Sequence, residues 1–197
     1  PTVARHRVPG NQIAYQRNLI AAQALARGHA WVCYVDADCV PEAGALDRLL
    51  ETGLPVVGGA VLERVAPFEL CAVRALEPYQ RYTVADLHAH VEPFPVVAIG
   101  TGCLLVRRAV FERLIPPWFR CGQIQPEVLA EDLDFSLRAA AAGFPPYLHP
   151  GVRVGHRADV ILWPLETVHL QWYGPHGALP YRQSAETPLD ADRDAEV

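Results

Sequence analysis

The chain has no lysine and no methionine. Without lysine there is no Schiff-base amine and no Walker-type phosphate loop, since both need that side chain. All 17 basic residues are arginine, and they leave a net charge of −5. A nucleic-acid partner held by a broad basic surface is excluded on that balance. The five cysteines (Cys33, Cys39, Cys71, Cys103 and Cys121) are odd in number and show no CxxC spacing. That argues against a disulfide framework or a structural zinc site and predicts reduced, mostly buried thiols in a cytoplasmic protein. No apolar run approaches the ~20 residues that span a bilayer, and no signal peptide opens the chain. Methionine is missing even at position 1, which predicts a chain processed or cut from something longer.

What is present is enough for one α/β domain with a real core: 197 residues, 51% hydrophobic and 20% charged. The expected domain covers residues 1–183. The acidic, small-residue tail 184–197 is expected to be disordered. The organising stretch is WVCYVDADC, Trp31 to Cys39. Its apolar part is short, β-branched and aromatic, and reads as a buried strand of a parallel sheet. It stops at Asp36 and Asp38. Ligands of open α/β sheets lie beyond the carboxyl ends of strands. Two hard carboxylates in one loop there suit Mg²⁺ or Mn²⁺ and the phosphates of a nucleotide. A plain turn after the strand is the competing reading.

Before that strand, Asn11 is a plausible N-cap, and Gln12 to Arg27 is helical, with Ile13, Ile20 and Ala24 on one face and Gly28 as its stop. After it, Pro41 and Glu42 open a helix through Leu50, and Pro55 to Ala60 is a second buried strand. Its Gly58-Gly59 pair allows a close backbone approach. Val61 to Pro95 is expected to hold loops and an edge hairpin, with His88 and His90 on a solvent-facing loop. Val96 to Arg107 reads as two strands broken at Gly100, Thr101 and Gly102, either a functional close approach or a bend. Arg108 to Leu114 is a short helix, and Trp118 to Pro126 a loop. Glu131, Asp132 and Asp134 crowd the start of a helix reaching Gly143. Three acids exceed what capping needs, and their repulsion raises one pKa toward that of a general base. Pro146 to His149 is read as the final strand, followed by VRVGHR with His156 beside a glycine.

These segments, in this order, resemble a nucleotide-sugar glycosyltransferase of the GT-A fold, nearest the family 2 type. The matching pieces are Arg17-Asn18, YVDADCVPEAGALDRLL, GGAVLER, IGTGCLLVRR, EDLDFSLRAAAAGF and the closing GHR, spanning Arg5 to Arg157. The resemblance implies a Rossmann-like GT-A fold with a mostly parallel central sheet flanked by helices. It implies that Asp36, Asp38 and His156 hold Mn²⁺ or Mg²⁺, with a nucleoside-diphosphate sugar as donor. Arg17 would steady the diphosphate or the DxD loop, and Gly100, Thr101 and Gly102 would line the sugar and acceptor pocket. Asp132, with Glu131 beside it, would be the base for a hydroxyl acceptor on a sugar, lipid or protein, and the displacement would be inverting. Family members carry a base-gripping strand and loop some tens of residues before the RN helix, which is expected to have been lost here. Two rival readings remain: a sugar-phosphate nucleotidylyltransferase, which needs a Gly-rich loop and a lysine, and a truncated, non-catalytic nucleotide-binding domain. A haloacid-dehalogenase reading finds Val40 two residues past Asp38 but no lysine.

Overall fold

Arg17, Ala21 and Ala24 form the inner face of helix α1 (Ile13–Ala26). Their spacing of four and three is one stripe of a 3.6-residue helix. Ile13, expected on that stripe, is 42% exposed, and the arginine takes the inward position. The expected cap Asn11 lies outside the described residues, and Gln12 stands at the N-cap with no side-chain bond. Gly28, at φ 74°, ends the helix in the left-handed region that favours glycine. The computed structural model describes residues 3–4, 12–64, 66–124, 127–157, 160–164, 168–174 and 177–181, with 122–124, 127–129 and the last three stretches as backbone alone.

The chain then runs β1 (Trp31–Val35), β2 (Cys39–Pro41), α2 (Ala45–Glu51), β3 (Val56–Val61), β4 (Ala72–Leu76), β5 (Tyr79–Arg81) and α3 (Val84–His88). It continues through β6 (Phe94–Pro95), β7 (Ala98–Ile99), β8 (Cys103–Arg107), α4 (Arg108–Arg113), β9 (Gly122–Ile124), β10 (Glu127–Leu129) and α5 (Glu131–Ala141). It closes with β11 (Tyr147–Arg157), β12 (Val160–Pro164), β13 (Val168–Gly174) and β14 (Gly177–Tyr181). Helix α2 starts later than expected because Cys39–Pro41 pairs with β11 instead. The loop expected over Trp118 to Pro126 contains β9, which pairs with β10 just beyond it, and the strand expected at Pro146 to His149 runs on through Arg157. Strands β4 and β5 form the expected hairpin. Among the described residues no helix is long and apolar enough to cross a membrane.

The main sheet has the order β1-β8-β3-β11-β12-β13-β14, with β2 and β6 also paired to β11. The expected mostly parallel sheet is corrected here. Strand β8 lies antiparallel between β1 and β3, and β3–β11 is the parallel pairing among the described residues. The physical reason is the Gly100-Thr101-Gly102 turn, which lies at the carboxyl end of β1 with Asp36 N–H on Gly102 O, so the chain enters the main sheet from that end and runs antiparallel to β1. Strands β1, β3 and β11 still share a direction, so their carboxyl ends lie at one edge.

Both faces of the β1-β8-β3-β11 part of the sheet are covered. Val32, Tyr34, Val56, Ala60, Leu104 and Val106 pack with α1, α4 and α5 residues such as Ala21, Phe111 and Phe135. Val57, Val61, Leu105, Val152 and Val154 pack with Ala45 and Leu49 of α2. The alternation 56/57, 60/61 and 104/105 is the period-2 side-chain rule of a strand buried on both faces. Gly58 and Gly59 mark the tightest place. A Cβ there would lie 2.6 Å from Ile99 and 2.9 Å from Val152 and Val154.

Candidate functional site

The loop after β1 is pinned by backbone. Asp36 N–H donates to Gly102 O at 3.2 Å, Cys39 N–H to Asp36 O at 3.0 Å, and Arg157 N–H to Asp38 O at 2.7 Å. The two carboxylates then part company. Asp36 accepts from one nitrogen of Arg17 through both oxygens, at 3.0 Å each. The other terminal nitrogen of Arg17 donates to Glu131 at the start of α5. Asp38 instead meets Arg64 at 3.2 Å and His156 Nε2 at 3.4 Å.

His156 comes from β11, and its position follows from register, since Cys39 and His156 are direct partners in the β2–β11 pair. Its Nδ1 lies 2.7 Å from Leu62 O. A carbonyl only accepts, so Nδ1 carries the proton, and Nε2 is the ring atom turned toward the Asp38 oxygen. Asp38, Cys39 and His156 offer ligand atoms within 4.8 Å of one another. That donor set fits a divalent ion, and its histidine is held from behind as ligating histidines are. Asp36, occupied by Arg17, stands outside this group.

The three acids of α5 have three different surroundings. Glu131 is paired to Arg17. Asp134 is buried and accepts from Arg120 at 2.9 Å and Arg138 at 3.1 Å. Among the described residues Asp132 has no ion pair, and its one oxygen accepts Leu133 N–H at 2.8 Å. Burial, and then the Glu131 charge, hold its carboxyl above the ordinary carboxylate range. Its other oxygen faces Gly100, where a Cβ would stand 3.7 Å from it and 2.9 Å from Cys71 Cβ. Gly100 is a glycine because the backbone passes Cys71 that closely, with Gly100 N–H donating to Cys71 O at 2.7 Å.

Arg17, Asp36, His156, Glu131 and Asp132 share the wall of one cavity of about 340 Å³, and Gly100, Thr101 and Gly102 form another part of its wall. A second, more open groove lies outside α1 between Tyr15 and Trp118, and among the described residues its wall carries no carboxylate or imidazole. His88 and His90 are exposed and away from it, with the His90 ring stacked on Phe94 at 3.8 Å. The sequence reading missed four contributors. Cys39 follows Asp38 directly, Arg64 sits in the quoted GGAVLER, and Tyr79 and Arg81 come from the β4–β5 hairpin. Arg81 donates to Glu63 at 2.6 Å and lies 5.5 Å over the Tyr79 ring. The signal for the hairpin residues was their aromatic and cationic character in a segment otherwise hard to read.

The sequence profile described as "Glycosyltransferase like family 2" matches residues 2–174, and the chain belongs to that family. No curated protein matches the chain. Among solved structures, the crystal structure of A197 from STIV aligns with a TM-score of 0.60 at 17% identity, covering 90% of this chain and 83% of that one. Similarity at that identity speaks for the fold alone.

Proposed function

We propose that the chain moves a sugar from a nucleoside-diphosphate donor to a hydroxyl on a sugar, lipid or protein acceptor, with inversion, as one domain over residues 1–183. Membership of a glycosyltransferase family supports the reaction type. The observation that carries the residue roles is the shared cavity, with Asp36 and His156 on one part of its wall and an otherwise uncommitted Asp132 on another.

Asp38 and His156 would hold Mn²⁺ or Mg²⁺, while Asp36, on the same loop, stays with Arg17. Bound there, the ion neutralises the charge that grows on the departing diphosphate. Arg17 fixes the DxD loop to α5 through Asp36 and Glu131. Gly100, Thr101 and Gly102 leave room for the sugar beside Asp132. Asp132 takes the acceptor proton as the acceptor oxygen bonds to the anomeric carbon and the bond to the diphosphate breaks. A raised pKa suits that task, because a base works best when its pKa lies nearer the working pH.

The test is release of nucleoside diphosphate from a panel of nucleotide sugars with Mn²⁺ present. Release that chelation stops supports transfer. A requirement for a nucleoside triphosphate and a sugar phosphate points to nucleotidyl transfer instead. Silence with every donor, with nucleotide binding retained, leaves a binding domain.

A further inference from the structure

Cys39 stands opposite His156 in antiparallel register, so both side chains leave the same face of the sheet. It is 8% exposed and lines the cavity with Asp36 and His156. Its Sγ lies within 4.8 Å of the Asp38 and His156 ligand atoms. Gly102 makes room for the sulfur, since a Cβ there would come within 2.9 Å of it. The Leu62 carbonyl holds His156 by Nδ1 at 2.7 Å, and Nε2 lies 3.4 Å from Asp38. Arg64, the other partner of Asp38, has a half-exposed side chain that can swing to solvent.

Building on the reading of this loop as a cation site, we propose that Cys39 is a third protein ligand and that the site prefers a thiophilic ion, Zn²⁺ or Co²⁺, over Mg²⁺ and Mn²⁺. One carboxylate, one imidazole and one thiolate is a zinc-type set, whereas magnesium and manganese favour all-oxygen surroundings. As the sulfur–metal bond forms, the thiol proton passes to bulk water. Zn²⁺ therefore displaces Mn²⁺ from the loop.

The experiment titrates the full chain with Co²⁺ and follows absorption. The expected result is a sulfur-to-cobalt charge-transfer band in the near ultraviolet that equimolar Zn²⁺ bleaches and excess Mg²⁺ leaves in place. Cys39→Ser should lose the band and weaken Zn²⁺ by more than the roughly 10–100-fold that loss of an outer-shell partner costs. Cys71→Ser, the neighbouring cavity thiol, should keep the band. Co²⁺ binding without the band, or Cys39→Ser binding Zn²⁺ like the parent, overturns the thiol ligand while the cation site stands. Failure of the parent to bind Co²⁺, Zn²⁺ or Mn²⁺ overturns both. Should Cys39→Ser not fold, X-ray absorption of the zinc-loaded parent decides: one sulfur at about 2.3 Å supports the ligand, and none refutes it.

Discussion

One nitrogen of the Arg17 guanidinium lies 3.0 Å from both carboxylate oxygens of Asp36, and the other terminal nitrogen binds Glu131. A single buried cation therefore ties the loop after β1 to the first turn of α5. Tyr34 reinforces it, its hydroxyl donating to Arg17 O at 3.1 Å. Arg17→Ala leaves two carboxylates facing each other without a cation. The expected loss is about 2 kcal/mol, below the ~3–5 kcal/mol of a fully buried pair because Asp36 is partly open to solvent. Arg17→Lys should recover only part of it, since an ammonium cannot present the guanidinium fork to both acids. Thermal melts of the two variants check the order.

Asp38 and His156 are predicted to govern cation-dependent binding of a nucleoside diphosphate. Asp38→Ala and His156→Ala should each abolish the Mn²⁺-dependent part of binding measured by calorimetry, with the fold intact by circular dichroism. A variant that binds as tightly as the parent in Mn²⁺ would reduce the loop to a turn.

Asp134 is predicted to matter for stability and not for transfer. It ties Arg120 to Arg138, and Arg138 also donates to the Ile115, Pro117 and Trp118 carbonyls. Next to it, Asn18 and Phe119 exchange bonds, Nδ2 to Phe119 O at 2.6 Å and Phe119 N–H to Oδ1 at 3.0 Å. Asp134→Ala should cost about 2–3 kcal/mol, the scale of hydrogen bonds to charged groups. Donor turnover per folded molecule should be unchanged.

The sequence made Asp36 and Asp38 legible because a short apolar strand ends at them. It made Arg17-Asn18 legible as a pair, although not the division of labour in which Arg17 holds two acids and Asn18 holds a loop. The residue pattern by itself could not rank Asp132 against Asp134; the family resemblance pointed to Asp132. Two residues turn a helix by about 200°, so one faces the cavity and the other the Phe119 loop, and only docking of α5 decides which. Strand direction was illegible for a similar reason. The apolar run Cys103–Arg107 is equally good in either sense, and the turn at Gly100–Gly102 sets it. Cys39 gained its neighbour His156 from the β2–β11 register, which no local pattern reports.

Asp132 carries the last prediction. Its carboxyl is held above the ordinary range, first by burial and then by Glu131. The folded state therefore keeps a proton that the unfolded chain has already released. Stability falls as pH rises from the ordinary Asp value through the raised one, and stays lower above it. Asp132→Asn removes that charge and keeps an oxygen for the Leu133 N–H. Its melting temperature at neutral pH should equal or exceed the parent's, and the difference should vanish at acid pH below both values. Transfer should behave in the opposite way. Loss of a general base costs ~10²–10⁴ in rate, with donor binding retained, and the parent's rate should rise with pH along a limb shifted above an ordinary carboxylate's. Melting curves across pH and turnover of the same two proteins separate these effects. An Asn variant that turns over donor at near-parental rate removes Asp132 as the base and sends the search to Glu131.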